Sequence, residues 1–296
     1  MSAALETKPL ARILTCSEAE YFADPCEVPS LSQSIAHTML TKSPLHAWHQ
    51  HPRLGNAPRS STKAQIEGTV IHALLLGKGA SGIEILSYPN YKTKAAQVKR
   101  DLVEAEGRTP VLECKYEEIV TAAETIRMRL AEQDCVFEGG QAEVAIEWYE
   151  EGPDGPVVCR GRIDYLILGE RHAIILDPKK IVSADSITCM YHADDYGHHI
   201  QPVAYTSAVE KLRPDLVGRV QFKYPFMEIA APYAAVVRPP SAESTWVGQQ
   251  QWKRAIATWQ QCLRTGVWPC YPIEPLYVSP RTSKREEELL EMDIET

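Results

Sequence analysis

The chain lacks most of the features that assign a class at a glance. It has no run of about 18 apolar residues, so no membrane-spanning helix is expected. Its N-terminus has no basic region followed by an apolar one, which speaks against a signal peptide. Its cysteines (Cys16, Cys26, Cys114, Cys135, Cys159, Cys189, Cys262, Cys270) form no C-x-x-C pair, which argues against zinc ribbons and redox motifs. They read as reduced core residues of a cytoplasmic protein. An excess of positive charge is missing too. The formal net charge is −8, which opposes a phosphate-rich partner when charge is taken as a sum, although a local basic groove can coexist with acidic outer faces. The stretch from Tyr91 to Arg100, with Lys92, Lys94 and Lys99, is such a local excess, and it reads equally as a solvated helix face. Neither an internal repeat nor a linker is visible across the 296 residues, so one domain of α/β composition is expected.

What the chain does have is a pair of carboxylates at the ends of apolar, strand-like runs. Asp164 follows Gly161-Arg162-Ile163, and Asp177 precedes Pro178-Lys179 after Ile174-Ile175-Leu176. Side chains alternate along a strand, so Asp177 and Lys179 share a face. A hairpin through Gly169-Glu170-Arg171 brings Asp164 beside Asp177. Like charges so close are tolerable when a divalent cation lies between them, and an ammonium beside such an ion suits activation of a water, as in a metal-dependent nuclease. The competing reading is that Asp164 closes a strand at the surface and Asp177-Pro178 starts a turn.

The rest of the pattern predicts helices near 31–40, 43–51, 62–77, 94–107, 115–133, 196–212 and 241–265. Strands are expected near 141–150, 156–168, 172–179, 218–228 and 232–238. Residues 1–30 read as an irregular N-terminal arm and 31–135 as a helical part. Residues 136–272 read as a sheet with C-terminal helices, and 273–296 as a polar tail. Three further elements carry donors. Gly68 and His72 lie one turn apart on a helix, where the imidazole either reaches an ion or packs. Glu143 and Glu147 share a strand face, and one of them can point at the same site or both at solvent. Gln201 and Tyr205, one helical turn apart, suit a phosphate or base edge, or form the margin of an amphipathic helix.

Taken in order, G-x-x-x-H, a strand Glu, G-R-x-D, D-x-K and Q-x-x-x-Y resemble the RecB-like branch of the PD-(D/E)xK nucleases. The flanks resemble the nuclease domain of exonuclease VIII (RecE) and its phage relatives. They are Pro29-Ser30-Leu31-Ser32-Gln33-Ser34, Thr41 to Trp48, Gly68 to Gly77, Phe222 to Glu228 with Pro232-Tyr233, and Gly266-Val267-Trp268-Pro269-Cys270-Tyr271. The resemblance implies a restriction-endonuclease-like α/β core, a mixed central sheet with an antiparallel meander flanked by helices. It implies that His72, Asp164, Asp177 and the Pro178 carbonyl hold Mg²⁺ or Mn²⁺, and that Lys179 positions the attacking water. Glu143 would assist the metal, while Gln201, Tyr205, Arg160, Arg162 and Lys180 would bind DNA. No iron–sulfur cluster is expected. The implied activity is digestion of linear double-stranded DNA, 5′ to 3′, in a bacterial or phage-infected cell. The enzyme would be a trimeric or tetrameric ring that feeds a RecT-like single-strand annealing protein, with no membrane partner. An endonuclease, a CRISPR-associated RecB-like nuclease and a catalytically impaired DNA-binding subunit are the alternatives. Three positions depart from the usual pattern: Pro178 stands where an apolar or aromatic residue is common, Lys180 where Thr is common, and Cys270 where the closing motif has Gly. Pro donates no N–H, so a lost ladder bond and a displaced Lys179 are expected at that point.

Overall fold

The computed structural model describes residues 9–56, 63–79, 82–271 and 273. In chain order its elements begin with β1 (Ala11–Ile13), α1 (Glu18–Phe22), α2 (Gln33–Thr41), α3 (Pro44–Gln50) and α4 (Lys63–Leu76). Then come β2 (Ile83–Leu86), α5 (Lys94–Ala105), β3 (Thr109–Leu112), α6 (Glu113–Ala131), β4 (Gln141–Gly152), β5 (Gly155–Leu168), β6 (Ala173–Leu176) and β7 (Lys179–Lys180). The last part holds α7 (Ser186–Asp195), α8 (Ile200–Leu212), β8 (Val220–Met227), β9 (Ala235–Arg238) and α9 (Ala242–Thr265).

β4, β5 and β6 form the expected antiparallel meander, and β6 then pairs with β8 in parallel, so the central sheet is mixed. Its two faces bury different cores. On β6, Ala173 and Ile175 face one helix layer and Ile174 and Leu176 the other, as period-two alternation requires. The first layer centres on α8 and α9, where Trp252, Ile256 and Trp259 recur at helical spacing and pack with Trp148 of β4. The second is α4 against α6, with Val70, Ile71, Ile119 and Ile126 fully enclosed. Side chains of this size each contribute roughly 1.5–3 kcal/mol by leaving water. α9 starts at the Ser241 cap, whose hydroxyl accepts from the Ser244 amide, and ends at Gly266, whose φ of +70° a glycine adopts at no steric cost.

The segment expected to be irregular before residue 30 is partly ordered. β1 adds to the sheet edge on β4, and α1 carries a complete capping box between Ser17 and Glu20. The helical expectation for 31–135 also needs correction, because β2 and β3 form a separate two-stranded parallel sheet there. Both are four residues long and only partly buried, too short for a strand period to show in the sequence. The tail expectation from 274 onward lies outside the described residues. Five cysteines are buried as expected, whereas Cys114 and Cys270 are exposed, and all those described are free thiols. Part of the basic run at α5 is tied down: Arg100 pairs with Asp101 and Lys99 with Glu84. Among the described residues no helix is long and apolar enough to cross a membrane.

β7 resolves the concern raised by Pro178. β6 pairs with β8 up to Leu176 opposite Lys223, and β7 resumes with Lys179 opposite Phe226, so the register continues unbroken through Asp177 and Pro178. The amides that donate to β8 are those of Asp177 (to the Lys223 carbonyl, 3.0 Å) and Ile181 (to the Met227 carbonyl, 2.9 Å). Alternation then turns the backbone of residue 178 away from β8. No ladder bond to β8 is lost at the proline, and Lys179 keeps its place.

Candidate active site

The hairpin of β5 and β6 ends its pairing at Tyr165 and Leu176, which leaves Asp164 and Asp177 as the next opposed pair. α4 packs over them. Its His72 Nε2 lies 2.9 Å from the carbonyl oxygen of Pro178, which can only accept, so Nε2 carries the proton. Nδ1 therefore presents its lone pair, 3.8 Å from Asp164 Oδ2. Burial, and then the charge of Lys179, lowers the basicity of His72 and keeps the ring neutral.

Asp177 is enclosed. Gln201 of α8 donates to its Oδ1 at 2.8 Å, Lys179 pairs with its Oδ2, and the same Lys179 ammonium donates to Gln201 Oε1 at 3.2 Å. The three side chains close a triangle that sets both the carboxylate and the ammonium. Asp164 has no such cation of its own. Burial raises its pKa well above the usual carboxylate range, and the nearby charge of Asp177, close enough to share a proton, raises it further.

Glu143 lies on β4 opposite Asp164, at a φ of +56°, which interrupts the pairing between Ala142 and Val144. A non-glycine residue in that region is strained, and such strain concentrates where a side chain must be re-aimed. Its carboxylate meets Arg162 Nε at 2.6 Å, and burial pushes its pKa up. Arg162 also reaches Glu18 at 3.1 Å and lies over the rings of Phe22 and Tyr21. A cleft of about 660 Å³ opens onto this side of the site, lined among others by Thr69, His72, Lys78, Gln141, Glu143 and Arg162. Glu147, the other strand carboxylate, is engaged with Arg12 at 2.7 Å.

Several residues expected to touch DNA have other partners. Arg160 is buried, with Asp24 Oδ1 at 3.0 Å and the Ser30 hydroxyl at 2.6 Å, and His51 completes the cluster 3.2 Å from Asp24 Oδ2. Burial opposes the charge on Asp24, but His51, Arg160 and Ser30 outweigh it and hold its pKa at about 2. Stability from this group is therefore present above the usual carboxylate range and is lost as the pH falls toward 2. Arg160→Ala is expected to cost about 3–5 kcal/mol by stranding a buried carboxylate. Urea denaturation would measure that loss, and an unchanged stability would show the cluster to be idle. Tyr205 is buried, its ring lying where a side chain on Gly161 would sit: a Cβ there would come within 2.5 Å of Tyr205 Cε1. The glycine of the G-R-x-D run thus makes room for the tyrosine of the Q-x-x-x-Y run. Gln201 is turned to Asp177 and Lys179. Lys180 is matched by Glu67 of α4, 2.5 Å away, which also stands 3.6 Å from Lys115.

A family model described as the PD-(D/E)XK nuclease superfamily matches residues 30–274. The chain belongs to the PD-(D/E)XK nuclease superfamily. Among solved structures, this nuclease is similar to a "Putative exonuclease" from Eubacterium rectale, with 9% identity, a TM-score of 0.61, and coverage of 92% of this chain and 98% of that one. SSO0001, at 13% identity over 65% of this chain and 85% of that one, has a TM-score of 0.26, too low to support an argument. No curated protein matches the sequence.

Nucleases of this superfamily generally use divalent metals. The donor set here suits a hard cation: two carboxylates held in contact, a neutral imidazole with a free lone pair toward one of them, and a backbone carbonyl beside it. Among the described residues no three His, Cys, Asp or Glu side chains already stand as a metal cluster. The donors are engaged with one another instead, His72 with Pro178 and Asp177 with Gln201 and Lys179.

Glu67, Glu18 and Tyr21 had no local signal in the sequence. An added cation such as Lys180 does call for a carboxylate, but that it comes from Glu67, five residues before His72, follows only from the packing of α4 on β7.

Proposed function

We propose that this nuclease is a Mg²⁺-dependent exodeoxyribonuclease of the RecE type that degrades one strand of linear double-stranded DNA, 5′ to 3′. The product would be single-stranded DNA for recombination by annealing. The observation that carries the reading is the convergence of His72 from α4, Asp164 from β5 and Asp177 with Lys179 from the strand of β6 and β7, with His72 itself lining an open cleft. His72, Asp164, Asp177 and the Pro178 carbonyl would hold the metal. When bound, the ion polarises the scissile phosphate and makes a water acidic enough to attack.

The chain's own groups do the rest. Lys179, fixed by Asp177 and Gln201, faces the place where the water must lie and stabilises negative charge that develops there. Glu143 and Arg162 form a pair at the mouth of the cleft, where the guanidinium suits a phosphate. Lys180 is held back by Glu67, so it contributes to the local potential more than to contact. The order of the motifs from Pro29 to Tyr271 supports the RecE-type placement. The ring-shaped trimer or tetramer, the digestion polarity and the RecT-like annealing partner rest on that resemblance.

The test is incubation with linear and with covalently closed duplex, in Mg²⁺ and in EDTA. The expected result is loss of the linear DNA alone, abolished by EDTA and by Asp177→Ala. Nicking of the closed circle would move the assignment to an endonuclease, and tight binding without cleavage to an impaired subunit.

A further inference from the structure

Tyr196 lies in the turn between α7 and α8, and its side chain is 60% exposed although the ring is held firmly. Its ring meets that of His192 at a 33° tilt with centroids 4.5 Å apart and lies within 18° of parallel to His198 at 6.0 Å. The two imidazoles are 5.1 Å apart and linked through His198 Nε2 and His192 Nδ1 at 3.2 Å. Below them the stack rests on β8. His192 meets Phe226 edge-on at 6.1 Å, and the Tyr224 hydroxyl donates to the His198 carbonyl at 2.6 Å. Phe226 is the register partner of Lys179.

A continuous column of rings therefore runs from solvent to the strand partner of the side chain placed at the attacking water. The turn that presents it is tightly determined. Gly197 has a φ of +65°, and a Cβ there would fall 2.0 Å from His37 Cδ2. Burial holds His198 down to about 2 and lowers His192 as well. A lone exposed tyrosine is ordinary; this one differs in the support beneath it and in its position beside the candidate site.

We propose that Tyr196 is a positioning residue that stacks against an unpaired base of the DNA strand beside the scissile phosphate and so holds the backbone against Lys179. The proposal deepens the nuclease reading and rests on it. Aromatic faces accept every base, so the contact would be tolerant of sequence, as progressive digestion needs.

The experiment places 2-aminopurine, one position at a time, along a tailed duplex and follows its fluorescence on binding in Ca²⁺, with Mg²⁺ cleavage measured in parallel. The expected result is quenching at one position near the cut with wild type and with Tyr196→Phe, and loss of that quenching with Tyr196→Ala. Tyr196→Ala should also raise KM about ten-fold for normal DNA, within the range of base–aromatic stacking, with kcat changed less. An abasic nucleotide at the quenched position should remove the difference between wild type and Tyr196→Ala. Wild-type cleavage with no quenched position, or equal KM for the alanine variant and wild type, would overturn the proposal while leaving the nuclease reading intact. Failure of the wild-type protein to bind or cleave DNA would overturn both.

Discussion

Lys179→Met is expected to lower the cleavage rate by about 10²–10⁴-fold, the range for loss of a group that assists proton transfer at a reacting water, while DNA affinity stays close to wild type. The expectation follows from where the ammonium stands. It is held on two sides, by Asp177 and by Gln201 Oε1, so it points at the carboxylate dyad and not along the cleft that a DNA strand would occupy. Lys179→Arg should not restore the rate, because a planar guanidinium cannot take the place of a compact ammonium between an amide and a carboxylate. Single-turnover cleavage of linear duplex, with anisotropy for binding, separates the two effects. A rate within a few-fold of wild type in Lys179→Met would remove Lys179 from the chemistry and move the water-activating role to Glu143.

The second large effect is a split between activity and stability at Asp164. Asparagine at this position should depress cleavage by about 10²–10³-fold through loss of a charged metal donor, yet raise the melting temperature of the metal-free protein by a few degrees. The sign follows from the dyad. Burial and Asp177 hold the pKa of Asp164 above its unfolded value, so folding favours its protonated form. The stability associated with that proton is present at low pH and is lost as the pH rises through the folded pKa. In EDTA the wild-type melting temperature should therefore fall with rising pH, while that of Asp164→Asn stays flatter. Mg²⁺ should lift the wild type and not the variant, since only the wild type retains the full donor set. Melting scans across pH, with and without metal, test this. A variant less stable than wild type in EDTA would mean that the two carboxyls do not repel.

The sequence carried the core of this result because the decisive residues are tied to periodic elements. The runs around Asp164 and Asp177 are long enough to read as strands. The spacing of Ile66, Val70, Ile71, Leu74 and Leu75 marks the helix that bears His72, and residues 200–212 fell inside the helix expected to carry Gln201. What escaped was of two kinds. β1, β2, β3 and α1 are three to five residues long, below the length at which a period can be seen, and exist because longer elements give them something to pair with or cap against. α7, ten residues long, also escaped, because only Cys189 of it is buried and it carries no apolar stripe. Roles were harder to see than elements. Arg160 stands two residues from Arg162 on the same strand and carries the same charge, yet one is enclosed with Asp24 and Ser30 and the other lines the cleft. Only the packing of the N-terminal segment across β5 separates them. Gln201 likewise reads as a DNA contact from its motif, whereas its amide is directed inward, bridging Asp177 and Lys179.

Pro178 gives the site an asymmetry that no other residue at that position would. The peptide group joining it to Asp177 has no hydrogen, and the carbonyl of residue 178 turns away from β8 toward His72. Between the two reactive side chains the main chain at residue 178 thus adds an acceptor, met by the Nε2–H of His72, and no donor of its own. That oxygen suits a cation, and the proline nitrogen offers a phosphate no N–H that could draw the substrate away from Lys179. A residue that breaks the family's habit within a strand leaves the backbone at that point selective for the sign of charge it meets.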